Sequence, residues 1–413
     1  MPDSFDVIVI GAGAAGLGAA ARLAGAPLSF VVLEARPRRG GRAHTVGAAG
    51  LPLDLGCGWL HSAEGNVLAR RIEAAGLAID RTPPHWERQA WNQDFSPDEQ
   101  RAFRQAYAAF QTQLKAAARD GREGPASSLM EPGGRWNPLM DAISSYYNGA
   151  EYDQVSIRDY AAYEDSGVNW RARDGYGAAI AALGAEAPVV VDCEVRRIDH
   201  GGRALRLETS KGPLTARAVI VTLPTPAISE GRLAFTPDLP DHRDAAAGLP
   251  LGLADKAFLR LAEPEAFPVE DHLFGRIDRT ETGSYHLRPF GRPYIEAYLG
   301  GRLARQLEGE GPGAMAAFAI EELVALLGSD IRAALAPIAE TAWAADPFAL
   351  GAYSHACPGS AGARARLAQP AEGRIFFAGE ATSPHAFSTA HGAWETGERA
   401  ADEAMAALAA SVG

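Results

Sequence analysis

The sequence DVIVIGAGAAGLGAA occupies residues 6–20 and decides how the chain begins to fold. The stretch from Asp6 to Ile10 is nearly all apolar, rich in β-branched residues and followed by glycine, which predicts a short buried strand. The alanine-rich run after it favours a helix, which Gly25 and Pro27 end. A second apolar stretch, Ser29 to Leu33, predicts another strand. The two strands and the helix form a βαβ unit, because parallel strands need a crossover connection.

Three glycines, Gly11, Gly13 and Gly16, follow the first strand with the spacing GxGxxG. The first permits a tight turn, the second lets the backbone approach a pyrophosphate, and the third allows close helix packing. The helix N-terminus offers free N–H groups to phosphates. Taken alone, the glycines are also compatible with an ordinary alanine- and glycine-rich helix start. Glu34 ends the second strand about twenty residues further on, where an acid binds a ribose hydroxyl, so the pattern predicts a dinucleotide site.

Two further glycine-rich stretches extend this prediction. After Glu34 the chain continues ARPRRGGRAHT, whose glycines and Arg42 predict a turn and a fixed cation near the phosphates. A solvated basic turn is the alternative. In LDLGCGWLHS, residues 53–62, glycines surround Cys57 beside an aromatic residue and a histidine, which suits backbone lying close to a planar ring system.

Length and composition exclude several classes of protein. The 413 residues suggest two or three domains, or one interleaved body, and 47% hydrophobic with 22% charged residues is typical of globular proteins. The net charge of −12 disfavours nucleic acid as a partner. Three separated cysteines without a CxxC pair indicate neither a disulfide framework nor a zinc site, and no metal site is predicted. We find no secretory signal and no apolar stretch of the ~20 residues needed to span a bilayer, and therefore expect a soluble, cytoplasmic protein without membrane contact.

Strand patterns recur along the whole chain. Apolar residues at helical spacing predict helices over 101–118 and 314–335. Further strands are predicted; they are Val189 to Ile198, Leu205 to Thr209 (a hairpin with the preceding strand across two glycines), Ala218 to Leu223 and Arg374 to Ala378. The fold class is therefore α/β, with a Rossmann-like domain assembled from residues 1–80, 176–250 and 341–413. A substrate-binding domain of mixed sheet and helices, residues 81–175 and 251–340, is interleaved with it.

The ordered motifs of this sequence resemble the flavin-containing amine oxidases, which include monoamine and polyamine oxidases and flavin histone demethylases. The motifs are GAGAAGLGAA, VVLEARPRRGGR, LDLGCGWLH, LADKAFLRL, WAADPFALGAYS and IFFAGEATSPHAFSTAHGAWETGERAA. The resemblance implies FAD as the cofactor, Glu34 on the adenosine ribose and Val195 near the adenine. The cofactor-binding residues expected from the motifs together are Gly11, Gly13, Ala14, Ala15, Gly16, Glu34, Ala35, Arg36, Gly41, Arg42, Gly56, Cys57, Gly58, Trp59, Val195, Gly379, Glu380, Thr389 and Ala390.

Lys256 lies in a strand-like apolar run, where a lysine is most often a surface residue whose head reaches water. The resemblance instead places it at a water next to flavin N5, where it could assist proton movement and reoxidation by oxygen. Tyr353 could be a half-buried strand tyrosine, but by resemblance it forms an aromatic wall in front of the flavin. Trp343, otherwise a plain core residue, lies near the ring by the same resemblance.

Three positions distinguish members of the family. Thr389 stands where monoamine oxidases have the second tyrosine, so the sequence is more similar to polyamine oxidases and histone demethylases. The chain leaves little room for the added modules of the demethylases. His61, usually a structural residue in isolation, matches a histidine of animal-type polyamine oxidases and is a candidate substrate-site residue. Ala352 replaces the cysteine that bonds to flavin in monoamine oxidases, so FAD is expected to bind noncovalently.

The resemblance therefore implies oxidation of a primary or secondary amine, polyamine-like, to an imine, with O2 reduced to H2O2. Lys256, Tyr353, His61, Trp343 and Thr389 are the expected catalytic residues. Acidic residues should hold a distal ammonium, for which the stretch from Tyr163 to Asp165 is a candidate. Two alternatives stay open: a carbon–carbon desaturase of related fold and a flavin-binding interaction protein without turnover. The sequence leaves the particular amine and the oligomeric state undetermined.

Overall fold

The computed structural model describes residues 2–84 and 86–411. The strands are β1 (Ser4–Ile10), β2 (Phe30–Leu33), β3 (Thr45–Ala48), β4 (Leu51–Asp54), β5 (Ile79–Asp80), β6 (Arg171–Ala172), β7 (Val189–Val190), β8 (Val195–Asp199), β9 (Leu205–Thr209), β10 (Gly212–Val221), β11 (Ala234–Thr236), β12 (Ala254–Leu261), β13 (Asp271–Phe274), β14 (Ser284–Leu287), β15 (Tyr294–Gly300), β16 (Leu335–Glu340) and β17 (Ile375–Phe377).

The α-helices alternate with these strands in the first and last parts of the chain and dominate residues 97–183. They are α1 (Ala14–Leu23), α2 (Val67–Ala74), α3 (Pro97–Arg119), α4 (Asn137–Asn148), α5 (Ile157–Ala162), α6 (Tyr176–Leu183), α7 (Thr225–Ser229), α8 (Pro240–Ala247), α9 (Gly301–Glu310), α10 (Ala314–Leu327), α11 (Ala363–Leu367) and α12 (Ala390–Ala410). Over residues 2–84 and 86–411, no helix is both long and apolar enough to cross a bilayer.

The first sheet has eight strands in the order β11-β8-β9-β10-β1-β2-β7, with β17 also paired to β10. β1 lies parallel to both β2 and β10, which confirms the predicted βαβ unit. Its strands come from the start, the middle and the end of the chain, as the scattered strand patterns predicted. Residues 7–10 of β1 and 218–221 of β10 are continuous apolar runs because helices cover both faces of the sheet there.

The predicted strand from Val189 to Ile198 is wrong, because it is two strands, β7 and β8, separated by a bend. Asp192 at the bend has a φ of 51°. Its N–H donates to the carbonyl of Arg36 at 3.1 Å, and that of Cys193 donates to the carbonyl of Glu34 at 2.8 Å. These bonds hold the chain after β7 against the turn that follows β2, so that Val195 and Glu34 line the same cavity. The hairpin of β8 and β9 is confirmed.

Helices α1 and α12 pack directly on each other, and glycine makes this close approach possible. A Cβ added at Gly18 would lie 2.5 Å from the carbonyl oxygen of Trp394, and one at Gly397 would lie 1.9 Å from that of Ala15. Because such distances are impossible for a side-chain carbon, glycine is required at both positions. The contact places the N-terminus of α12 beside the glycine motif, although about 375 residues of sequence separate the two.

The second sheet has five antiparallel strands in the order β13-β14-β15-β12-β16. One face packs on α9 and α10 through apolar residues such as Leu259, Ile295 and Ala297. Since side chains alternate along a strand, the residues between them point to the other face. That face carries Lys256 opposite Tyr298, and Glu296 opposite His286, which makes it polar although it is largely buried.

Candidate active site

A cavity of about 1300 Å³ runs between the two sheets and the helices α3 to α5. All but one of the predicted site residues line it, from segments spread over the whole chain. They are Gly11, Gly13, Ala14, Ala15, Glu34, Ala35, Arg36, Gly41, Arg42, Gly56, Cys57, Gly58, Trp59, His61, Val195, Lys256, Trp343, Tyr353, Gly379, Glu380, Thr389 and Ala390. The exception is Gly16, which lies behind the wall: a Cβ there would be 1.8 Å from the carbonyl oxygen of Gly11. Its role is close helix packing, as its place in the motif predicts.

The glycine motif forms a cradle at one end of the cavity. Gly11 has a φ of +101°, and a Cβ on it would lie 2.6 Å from the hydroxyl of Thr222, so the turn itself requires glycine. Gly13 differs, because a Cβ there would meet no described protein atom closer than 3.9 Å. Gly13 precedes α1 without a side-chain cap, so the first N–H groups of the helix are available to an anion. The absence of a side chain at Gly13 thus leaves room for a phosphate rather than for protein.

Glu34 is fixed beside this cradle with 4% of its surface exposed. One carboxylate oxygen accepts from the N–H of Ala12 at 2.7 Å and the other from the N–H of Arg36 at 2.8 Å. Each oxygen keeps a second lone pair, so the carboxylate can also accept from vicinal hydroxyls of a ribose. The guanidinium of Arg36 pairs with Asp346 at 2.5 Å, which ties the turn after β2 to the segment before Tyr353.

Glu380, the acid of the FAGE motif, is held by a buried polar network. Arg42 donates to it at 3.1 Å, and the hydroxyl of Ser354 donates at 2.7 Å. Arg364 donates to the same hydroxyl and forms a two-point ion pair with Asp159 at 2.7 and 2.8 Å. Burial alone would raise the pKa of Glu380, but Arg42 and Arg364 lower it, so the carboxylate is charged. The network therefore fixes the segments that contain Ser354 and Glu380 against each other at the cavity wall.

Lys256 lies on the wall of the cavity and is not a surface lysine, since 4% of it is exposed. Its ammonium donates to the carbonyl of Asp54 at 2.9 Å and pairs with Glu296 at 2.7 Å. Burial would lower the pKa of Lys256, but the carboxylate of Glu296 raises it above its usual value. The group is therefore a fixed positive charge facing the cavity.

The two predicted aromatic residues follow β16 in irregular structure, so Tyr353 is not a strand residue. Its hydroxyl lies 3.1 Å from that of Tyr298 and also contacts the carbonyl of Tyr146. Trp343 is 7% exposed and donates from Nε1 to the carbonyl of Leu55 at 3.2 Å. Both side chains are held rigidly by these bonds along the cavity wall.

His61 and Thr389 have structural partners as well as a place on the wall. His61 Nδ1 lies 2.7 Å from Asn169 Oδ1, and burial lowers the pKa of the imidazole, so the ring is neutral near pH 7. Thr389 is the N-cap of α12: its hydroxyl accepts from the N–H of Gly392 at 3.0 Å and donates to the carbonyl of Ala386 at 2.6 Å. Thr389 thus fixes the start of α12, the helix that follows the FAGE motif.

Sequence reasoning missed several residues that line the cavity beyond Lys256. They come from helices α3 to α5, the loop before α3 and the polar face of the second sheet, and include Trp86, Glu87, Tyr107, Tyr146, Tyr147, Tyr160, His286, Glu296 and Tyr298. The alternation of apolar and polar residues in IEAY, residues 295–298, is typical of a strand. It places Glu296 and Tyr298 on the same face as Lys256 only once the pairing of the two strands is known. Of the candidate acidic stretch, Tyr163 and Asp165 line the cavity, whereas Glu164 does not.

The parallel strands β1, β2, β10 and β17, the glycine cradle at the start of α1 and the buried lysine in one cavity define a nucleotide-dependent enzyme of two-domain type. A profile described as flavin-containing amine oxidoreductase matches residues 14–405. The chain belongs to this family; it is an FAD-dependent amine oxidase, and FAD is its cofactor.

Individual relatives agree with this assignment. Polyamine oxidase 2 of Arabidopsis thaliana is 29% identical over 97% of this chain and 88% of its own length. Polyamine oxidase 4 of Oryza sativa subsp. japonica is 27% identical over 96% of this chain and 88% of its own length. A solved double mutant of putrescine oxidase with redesigned cofactor binding superposes with a TM-score of 0.75 at 17% identity, covering 98% of this chain and 99% of that one. The superposition establishes the fold.

Proposed function

We propose that the protein oxidises the carbon–nitrogen bond of a primary or secondary amine of polyamine type to an imine, and that O2 is reduced to H2O2. The observation that carries the proposal is the buried ammonium of Lys256, facing a cavity that has several tyrosine and tryptophan residues on its wall and continues to the nucleotide cradle. The naming of the two plant relatives as polyamine oxidases supports the substrate class. Hydrolysis of the imine in water would give a carbonyl compound, together with ammonia from a primary amine or a smaller amine from a secondary one.

The residues that would hold FAD follow from the fit of the cavity. The N-terminus of α1 with Gly13 would bind the pyrophosphate, Glu34 the adenosine ribose, and Val195 would contact the adenine. Arg42, Glu380 and the N-terminus of α12 would border the rest of the cofactor. When bound, FAD supplies the redox chemistry by accepting a hydride equivalent from the carbon next to the amine nitrogen. We propose that the two units contributing to the cavity have the boundaries predicted above from the sequence.

The protein must present the amine uncharged, because a protonated nitrogen has no lone pair to assist the oxidation. His61 is a neutral acceptor in the cavity and can take a hydrogen bond from the incoming ammonium. Tyr353 and Tyr298, joined through their hydroxyls, form an aromatic surface that orients the substrate. Lys256 would hold a water on the cavity wall and supply a proton-donating group there.

A second ammonium of a polyamine needs a negative charge further along the cavity. Glu87 and Asp165 are the lining acids that lie away from the nucleotide end, and within residues 2–84 and 86–411 neither forms an ion pair of the kind that joins Glu296 to Lys256. Both are exposed, so they would meet a cation at the cavity entrance rather than in its interior. Trp86 and Tyr147 lie on the same part of the wall and offer π-faces to a cation. The cytoplasmic location stays a prediction.

The test is peroxide release by the purified yellow protein mixed with a panel of amines: 1,4-diaminobutane, spermidine, spermine and benzylamine. We expect peroxide in proportion to amine consumed, with the polyamines preferred over benzylamine. Absence of peroxide and of flavin bleaching with every amine would contradict the proposal, and bleaching without peroxide would place the electron acceptor elsewhere.

Lys256→Met tests the residue assignment. The substitution keeps a similar bulk and removes the cation, so reoxidation of the reduced flavin should slow by about a hundredfold. Anaerobic reduction by the amine should change less, and stopped-flow absorbance follows the two half-reactions separately. Lys211→Met is the matched control, because Lys211 is exposed and donates to the carbonyl of Val191 at 2.8 Å, away from the cavity.

A further inference from the structure

The buried partner of Lys256 is set by the register of the second sheet. β12 and β15 are antiparallel, with Lys256 opposite Tyr298 and Phe258 opposite Glu296. Lys256 and Glu296 are therefore on the same face, one diagonal step apart, which is within reach of two long side chains. Their Nζ and Oε1 atoms lie 2.7 Å apart. The backbone carbonyl of Asp54 takes a second hydrogen bond from Nζ at 2.9 Å.

Both members of the pair are shielded from water. The side chain of Lys256 is 6% exposed and that of Glu296 is 19% exposed. Burial would raise the pKa of Glu296, but Lys256, with smaller contributions from His286 and Arg171, lowers it below its usual value. A carboxylate so stabilised in its charged form is a poor base for a substrate ammonium. It is well suited to hold a neighbouring cation in place.

The cross-strand neighbour of Glu296 is engaged with another acid. His286 lies opposite Glu296, and its Nε2 is 3.0 Å from the carboxylate of Glu270. Glu270 in turn pairs with Arg171 at 2.7 Å, and this guanidinium lies 4.8 Å from the ring centroid of Trp59. Acidic and basic side chains thus alternate from Arg171 to Lys256, and Lys256 is the cation bonded to Glu296.

We infer that Glu296 is a positioning residue that keeps the ammonium of Lys256 charged and aimed into the cavity. The inference rests on the proposed role of Lys256 at the flavin. Without the carboxylate, a buried ammonium would keep only one carbonyl acceptor among the partners described above, and its orientation would no longer be fixed. Glu296 would therefore act on the reaction through Lys256 and not through the substrate.

The experiment combines Glu296→Gln, Lys256→Met and the double variant, each as the FAD-loaded protein. Reoxidation should slow by about tenfold in Glu296→Gln, the loss expected for one charge-assisted hydrogen bond to the lysine. In the Lys256→Met background the same change should have less than a twofold effect, since the group it positions is gone. Glu296→Asp, which keeps the charge on a shorter side chain, should recover part of the reoxidation rate. It replaces Glu296→Gln in the comparison if the glutamine variant folds poorly. Glu270→Gln, one ion pair further along the face, is the matched control.

The midpoint potential of the bound flavin gives a readout that does not depend on turnover. In the Lys256→Met background, Glu296→Gln should raise the potential, because only its own negative charge is lost. With Lys256 present the rise should be smaller, because the lysine cation is displaced when its partner is removed. Equal shifts of the potential in the two backgrounds would show that Glu296 acts by its own charge and does not position the lysine.

Three kinetic outcomes also overturn the inference. Reoxidation of Glu296→Gln within twofold of wild type, while Lys256→Met is slow, shows that the carboxylate is dispensable. An equal loss in both backgrounds shows that Glu296 acts independently of the lysine. A wild-type rate in Lys256→Met removes the proposed role of the lysine itself, and the inference falls with it. The first two results leave the proposed function intact, so the two failures can be told apart.

Discussion

Glu34→Gln perturbs the nucleotide site at a single atom. The carboxylate accepts two backbone N–H bonds, at 2.7 Å from Ala12 and 2.8 Å from Arg36. Glutamine keeps one oxygen acceptor but turns an NH2 group toward the second N–H, so one buried donor faces another donor. The loss of one charge-assisted bond and the unsatisfied N–H together should lower the free energy of unfolding of the FAD-free protein by about 1–3 kcal/mol.

The same substitution should weaken FAD binding. A ribose hydroxyl that donates to a carboxylate would donate instead to a neutral amide or meet its NH2 group, which costs about 1–3 kcal/mol. This corresponds to an increase in the FAD dissociation constant of about 5- to 150-fold. Urea unfolding of the FAD-free protein measures the first effect, and quenching of flavin fluorescence on titration measures the second.

Glu194→Gln is the control for both measurements. Glu194 also lines the cavity near Val195, but its side chain is 41% exposed and pairs with Arg196. We expect its FAD dissociation constant to stay within about twofold of wild type, in keeping with the small free energies of exposed ion pairs. An unchanged FAD dissociation constant in Glu34→Gln, with lowered stability, would refute the ribose role and leave Glu34 as a brace of the turn.

Three further predictions concern other parts of the site. Because alanine at position 352 cannot form a thioether, acid or heat precipitation should release the flavin into the supernatant; flavin retained on the polypeptide, seen by gel fluorescence, would contradict noncovalent binding. Burial and the neighbouring acid Glu308 raise the pKa of Asp255 to about 8, although the hydrogen bond from Thr341 lowers it, so the folded state holds a proton that the unfolded state releases near pH 4. The contribution of Asp255 to stability is therefore present at low pH and is lost as the pH rises towards 8, by up to about 1.4 kcal/mol per pH unit, and Asp255→Asn should flatten this dependence in urea titrations between pH 5 and 8. Thr389→Ala removes the cap of α12 and should cost about 1 kcal/mol of unfolding free energy, which Thr389→Ser should largely restore; equal stabilities of all three proteins in urea would show that the cap is unimportant.

Short-range patterns in the sequence were sufficient to predict the residues that line the nucleotide end of the cavity. The apolar run before Gly11, the glycine spacing and Glu34 lie within about thirty residues and are joined by one strand, one helix and one strand. Their positions follow from local backbone geometry, because a parallel βαβ unit has one common handedness and places its first turn at the strand ends. The helix predicted over 101–118 is confirmed as α3 for the same reason, since helical periodicity is a local property.

The bend at Asp192 shows where local patterns stop being informative. The apolar residues from Val189 to Ile198 satisfy a strand pattern, yet the chain leaves β7 to bond with the carbonyls of Glu34 and Arg36. Hydrogen bonds to a segment more than 150 residues away decide that break, and the propensity of the residues does not encode it.

The sequence by itself determined the βαβ unit and the glycine cradle with Glu34, and its ordered motifs predicted Lys256 as a site residue, which the structure places on the wall of the same cavity. Only the tertiary structure decided what holds Lys256. Its partner Glu296 lies forty residues further on, in a strand that pairs with β12 although two other strands intervene in sequence. Strand order and register depend on packing of both sheet faces at once, and a shift by one residue would turn Glu296 into the core. The sequence likewise did not determine the part of the cavity wall beyond Lys256, because helices α3 to α5 supply it through contacts between distant segments.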